Sequence, residues 1–250
     1  MKRAIFFLSV FFILLYLYPI NGLAQEPPPS SPETRDIPHG PPIAEKPQIP
    51  YAEALGKGRF RIGKITVDSI KKEVLVPGRM NMREEVIEFI ASIKGGFKLY
   101  ESLLEMDANA YEFNLALILV GLDQKKGKAS KYHFDPNPPE GDPVEIWLEW
   151  TEGEKKKMIR AEDMVFNKSR KTTMPHSPWV YTGSTIMEDG TFMAQMDGVL
   201  IGFVHDPAAI IDSTSNFGLT EYGMLVVNKD IVPPVGTSVQ LRVKSLKEGN

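Results

Sequence analysis

Cysteine is absent from the 250 residues. Its absence excludes disulfides, a thiolate nucleophile, a Cys-ligated iron–sulfur cluster and lipidation at an N-terminal Cys. It does not choose between an oxidising and a reducing compartment. A basic excess is lacking too: 29 Lys and Arg face 32 Asp and Glu, for a net charge of −3. Without a basic field, binding driven by attraction to nucleic-acid phosphates is not expected. Histidine is scarce, with His39, His133, His176 and His205 as the full set, and no two stand at helical ligand spacing. Beyond the N-terminus, long hydrophobic runs are missing. The longest, Leu115 to Val120, falls far below the ~20 residues of a membrane span. No internal repeat is visible. With 42% hydrophobic and 24% charged residues, the rest is ordinary globular composition.

The N-terminus has the most specific pattern. Lys2 and Arg3 precede an apolar run from Ala4 to Tyr18, and Pro19 and Asn21-Gly22 then break it. Gly22-Leu23-Ala24 offers a small–x–small cleavage site before Gln25. Basic, apolar, small is the order of a secretory signal peptide over residues 1–24. The competing reading is an uncleaved anchor, the one route to membrane contact in this chain. Export to the periplasm or the extracellular space is therefore expected. Loss of Lys2 and Arg3 takes the net charge from −3 to −5, which disfavours anionic surfaces.

Nine of the 20 prolines lie between Pro27 and Pro50. Each fixes φ and removes a backbone donor, so residues 25–58 read as a disordered, partly polyproline II tether. Ala52-Glu53-Ala54-Leu55 could add one weak helical turn. The remaining residues, 59–250, are long enough to form one core without disulfides.

The pattern in this domain has mostly period two. Asp68-Ser69 turns the chain toward Val74-Leu75-Val76. Val144 to Trp150 alternates as a strand with one wet face, and Glu152-Gly153 turns it into Lys156 to Arg160. Trp179 to Ile186, Val199 to Val204, Met224 to Val227 and Ser238 to Val243 are further strands, and Val86 to Ile93 fits strand or helix. Met196-Asp197-Gly198 carries a hairpin signal. A helix is expected over 110–120, because Asn109 and Glu112 form a capping box and Gly121 a stop; its apolar end predicts burial on all sides. A short helix is expected after Asp206 as N-cap and Pro207 at N1, through Ala208-Ala209-Ile210-Ile211. The expected class is α+β: a mainly antiparallel sheet with one buried helix and one short capped helix.

Chemistry is sparse. His205 beside Asp206 suits a base or ligand next to an anion-holding turn, or simply a strand end beside a cap. Glu101, between Tyr100 and Leu103, becomes a candidate acid or base if buried. Asp212 could complete an acidic pair with Glu101 or Asp206. These three, Glu101, His205 and Asp212, are the candidate catalytic set. Trp179, Ser184 and Asp206 are the candidate ligand contacts. Ser184, His205 and Asp212 compose a triad on paper only, since Gly183-Ser184-Thr185 lacks the full nucleophile elbow. Asp135, Asn137, Glu140 and Asp142 crowd a proline-rich loop without the order of a calcium loop. Met174 near His176, and Met193 with Met196, could suit copper(I), though thioethers more often fill core gaps. No metal site and no cofactor is expected.

Several stretches, read in order, resemble the YdjY-like domain family of exported bacterial proteins. They are Glu101-Ser102-Leu103-Leu104, Leu115 to Leu122, Pro143-Val144-Glu145 and Arg160-Ala161-Glu162-Asp163. Pro178 to Ser184, His205 to Asp212 and Pro233 to Thr237 follow. The resemblance spans about 62–245 and implies no established activity. Some relatives carry ferredoxin-like labels, which a chain without cysteine cannot inherit. Relatives carry a His where this chain has Asn114, which weakens a shared His-based site. The expectation is an exported binding or structural module of the cell envelope, more in keeping with the residues than an enzyme. Its partner would be an envelope protein, a glycan or a small ligand. The rival is a hydrolase using Glu101, His205 and Asp212, and it requires those side chains to converge in a pocket.

Overall fold

A computed structural model describes residues 50–247. The expected signal peptide and all but the end of the expected linker lie outside the described residues. The first strands form a meander: β1 (Ala52–Gly56), β2 (Arg59–Ile62), β3 (Ile65–Asp68) and β4 (Glu73–Met80). β1 thus stands before residue 59, inside the expected linker, and Ala52 to Leu55 are strand rather than a helical turn. The turn into β4 is held as its sequence suggests, because the Asp68 carboxylate accepts the N–H groups of Ile70 and Lys71.

β5 (Phe89–Ile93) and β6 (Ser102–Met106) follow, then α1 (Ala110–Leu119), β7 (Asp142–Glu152) and β8 (Lys155–Arg160). Next come β9 (Val165–Asn167), β10 (Thr172–Thr173), β11 (Trp179–Tyr181) and α2 (Met193–Asp197). The chain closes with β12 (Val199–Gly202), β13 (Ile211–Ser213), β14 (Leu225–Val227) and β15 (Ser238–Ser245). Eight strands pair in the order β4-β15-β7-β11-β13-β12-β5-β6, and β6 returns to β4, so the sheet is a closed barrel. β1 to β3 extend it beyond β4, β8 hangs on β7, and β10-β9-β14 make a small second sheet.

The expected α+β class is therefore corrected: the protein is mostly β and its main sheet closes on itself. One physical reason lies in two parallel pairs, β5–β6 and β12–β13. Their connections are only residues 94–101 and 203–210, shorter than the dozen or more that a parallel crossover usually takes. A second reason is the fate of Pro207 to Ile211. Asp206 does cap a turn, its carboxylate accepting the Ala208 N–H at 2.8 Å, but no helix continues. Ile211 instead enters β13, paired with Tyr181 on one side and Ile201 on the other. Burial of Ile210 and Ile211 between strands outweighs a one-turn helix that would leave them half wet. The Met196-Asp197-Gly198 hairpin signal becomes the end of α2, with Gly198 left-handed at φ 77°.

α1 has the expected capping box: Asn109 accepts the Glu112 N–H, and Glu112 accepts the Asn109 N–H. Its burial is one-sided rather than complete, with Phe113, Ala116 and Leu117 inward and Ile118 40% exposed. The barrel interior is filled by alternate residues of the long strands, among them Val74, Val76, Ile146, Leu148, Leu241 and Val243.

Candidate functional site

The two short crossovers end at the same place. Phe89 pairs with Ser102, so β5 and β6 start side by side. Gly202 pairs with Phe89, so the end of β12 lies beside those starts. Residues just before β5 and β6 and just after β12 therefore gather at one end of the barrel. They are Glu88, Lys98, Glu101, His205 and Asp206. Into this group the loop before β7 inserts His133. Its Nδ1 lies 2.7 Å from Asp206 Oδ2, and its Nε2 lies 2.9 Å from Glu88 Oε2. Both carboxylates are nearly buried, while the His133 side chain keeps 34% exposure.

The electrostatics follow from that geometry. Burial opposes a charge on His133, but the hydrogen bonds to Asp206 and Glu88 and their negative charges outweigh it, and its pKa rises to about 9. At neutral pH His133 is an imidazolium donating to two carboxylates. Lys98 donates to Glu101 at 2.6 Å. Burial works against the Lys98 charge, yet Glu101 holds its pKa above the ordinary lysine value. Burial raises the Glu101 carboxyl, with Lys98 pulling the other way. Behind them Asp212 is wholly buried, accepting N–H groups from Asp206 at 2.9 Å and Ser213 at 2.8 Å. Its burial pushes the pKa up to about 8.

The candidate catalytic residues are thus neighbours whose side chains point to different partners. Glu101 is engaged with Lys98. The His205 ring donates from Nδ1 to the Asp135 carbonyl at 2.6 Å, and its buried Nε2 meets no partner. His205 does not end a strand: β12 stops at Gly202, and His205 sits in the left-handed region at φ 61°, a strained conformation for a residue with a Cβ. Of the candidate ligand contacts, Trp179 is fully buried in β11. The Ser184 hydroxyl accepts the Ala194 N–H in α2. Asp206 alone reaches the cluster. The paper triad does not assemble, because Ser184 caps α2 and His205 faces Asp135. In the acidic loop, Asp135 closes a turn on Asn137, Glu140 pairs with Lys128, and Asp142 pairs with Lys247. Met174 is core, and His176 bonds Asp163. Among the described residues no three His, Asp or Glu groups converge as metal ligands.

Sequence reasoning missed Glu88, Lys98 and His133. The only signal for His133 was its rarity among titratable groups. Its partners lie 45 and 73 residues away, and no spacing rule reaches that far. Asn114, where the resemblance implied a His, accepts the Tyr181 hydroxyl at 2.6 Å and stands apart from the cluster.

Cavities are modest. One of about 10 Å³, room for a single water, touches Glu88, Phe134, Val204 and Tyr222. An open cleft of about 430 Å³ lies at the far end of the β5–β6 pair, beside Lys64, Lys94, Asp107 and Glu112.

The described residues form a closed β-barrel domain with an ion-paired polar cluster at one rim. The YdjY domain family model matches residues 65–244, and the chain belongs to that family. No curated protein and no solved structure matches it.

Proposed function

We propose that this YdjY-domain protein is an exported binding module of the cell envelope that holds a glycan at the barrel rim around His133. The observation that carries the reading is the Glu88–His133–Asp206 bridge. It leaves both ring nitrogens committed to carboxylates, so the imidazole offers no free base for hydrolysis. What the rim offers instead is surface. Tyr132 is 54% and Tyr222 77% exposed, and Tyr222 sits edge-on to Phe134, which packs on His133 at 4.3 Å. Flat amphipathic rings beside a polar rim suit the mixed faces of a sugar. The basic, apolar, small order of residues 2–24 supports delivery to the envelope.

The test is co-sedimentation of the protein with purified cell-wall polysaccharide. Tyr132→Ala and Tyr222→Ala are expected to release it while leaving the unfolding midpoint in place. Wild-type protein staying in the supernatant, or both variants sedimenting like wild type, would reject the reading.

A further inference from the structure

We propose that residues 128–140 form a strap latched by His133, and that release of the latch uncovers His205. The inference goes beyond the glycan reading and holds whether or not a sugar binds above it. The segment has the anatomy of an Ω-loop. At its neck Lys128 and Glu140 exchange two backbone hydrogen bonds, of 2.8 and 3.1 Å, and pair through their side chains. On either side of the neck stand Gly127 and Gly141, pressed so closely on the end of β11 and the residue after it that a Cβ would collide with the carbonyls of Thr182 and Tyr181. The ends are thus pinned to the barrel wall.

The tip is held differently. His133 reaches Glu88 and Asp206 with its side chain. The Phe134 N–H donates to the His205 carbonyl at 3.0 Å, and the Asp135 carbonyl accepts from the His205 ring. The strap therefore covers a fully buried histidine whose second nitrogen has no partner and whose backbone is left-handed. An orphaned buried polar atom in a strained residue is the pattern of a group kept for use. The tip is held by the His133 side chain and by two hydrogen bonds to His205 itself. The neck has a two-bond backbone pair and two glycines packed on the wall, so with His133 released the tip lifts before the neck opens.

Hydrogen exchange read by mass spectrometry tests this, together with diethyl pyrocarbonate acylation of His205. His133→Ala is expected to raise exchange in residues 128–140 and His205 acylation by about tenfold or more, with β4, β7 and β15 unchanged. Added imidazole should restore the exchange protection in that variant; sodium chloride of equal ionic strength should not. Glu88→Gln, which keeps the Asp206 half of the latch, should give a smaller rise of about threefold and keeps the test open if His133→Ala does not fold. Unchanged exchange in the strap, or a rise spread evenly over the barrel strands, would overturn the proposal.

Discussion

The two sides of the barrel wall are built on different terms. On one side β4, β7 and β15 run 8, 11 and 8 residues, and their side chains alternate between core and surface. Their outer faces carry cross-strand ion pairs, with Arg242 between Glu73 and Glu149 and Lys244 near Glu145. On the other side β11, β13 and β12 run 3, 3 and 4 residues and are buried throughout. The one charged side chain within them, Asp212, is wholly buried in β13, and the other charges cluster beyond the strand ends, largely shielded from water. The long side gains stability from repeated, independent pairings, each of small value. The short side depends on a few groups that cannot be removed without leaving a buried partner unmet.

Substitutions on the short side should therefore cost most. Trp179→Ala, at a fully buried position in β11, is expected to cost about 3–5 kcal/mol in urea unfolding, while leaving no trace on a surface ligand. A midpoint near wild type would mean that β11 is dispensable to the wall. Asp212→Ala strands the N–H groups of Asp206 and Ser213, and about 2–4 kcal/mol should be lost. If the loss is below half of that, water reaches those donors.

The pH dependence separates the sides further. His133 rises from 6.5 to about 9 on folding, so the folded state binds the proton more tightly. Its stabilisation is complete below pH 6.5 and is lost as pH rises through about 9. Asp212 rises from 3.8 to about 8, so its folded form is also disfavoured as pH climbs through that window. Both act in one direction, and thermal midpoints should fall from pH 6.5 to 9. The His133 share is about 1–2 kcal/mol, discounted because a third of the ring meets water. His133→Gln should flatten the slope; an equally steep slope in that variant would place the titration elsewhere.

Two smaller effects complete the series. Asn109→Ala removes the side-chain acceptor of the Glu112 N–H and should cost about 1 kcal/mol. On the long side Lys244→Ala, half exposed at 3.7 Å from Glu145, should stay within about 0.5 kcal/mol of wild type. A larger loss there would show that the outer ion pairs act as a network.

What sequence reading recovered divides along the same line. β7, β8, β15, the Asp68 turn and the capping box of α1 were legible, since each is a local pattern: alternation, a turn residue, a cap three residues from its partner. Closure of the barrel was not. It rests on parallel pairs whose linkers, 94–101 and 203–210, are too short for any rule of thumb to suggest them. The candidate site was half legible. Glu101 stands out for its apolar neighbours, Asp206 as a cap beside His205 and Asp212 as a possible member of an acidic pair, and the three do lie in one neighbourhood. Lys98 and His133, the partners of Glu101 and Asp206, and Glu88, the second partner of His133, come from separate segments that strand register and the loop before β7 bring together.

The position of β15 has a consequence for how the molecule is made. It is the last strand among the described residues, yet it sits between β4 and β7 in the wall, pairing with both. Until residues 238–245 arrive, two long hydrogen-bonding edges stay unsatisfied and the wall has a gap. A chain emerging from its N-terminus cannot seal the wall before β15 has appeared. Assembly must wait for β15, as expected for a topology rich in distant contacts. An unfinished chain would present edges open to another copy.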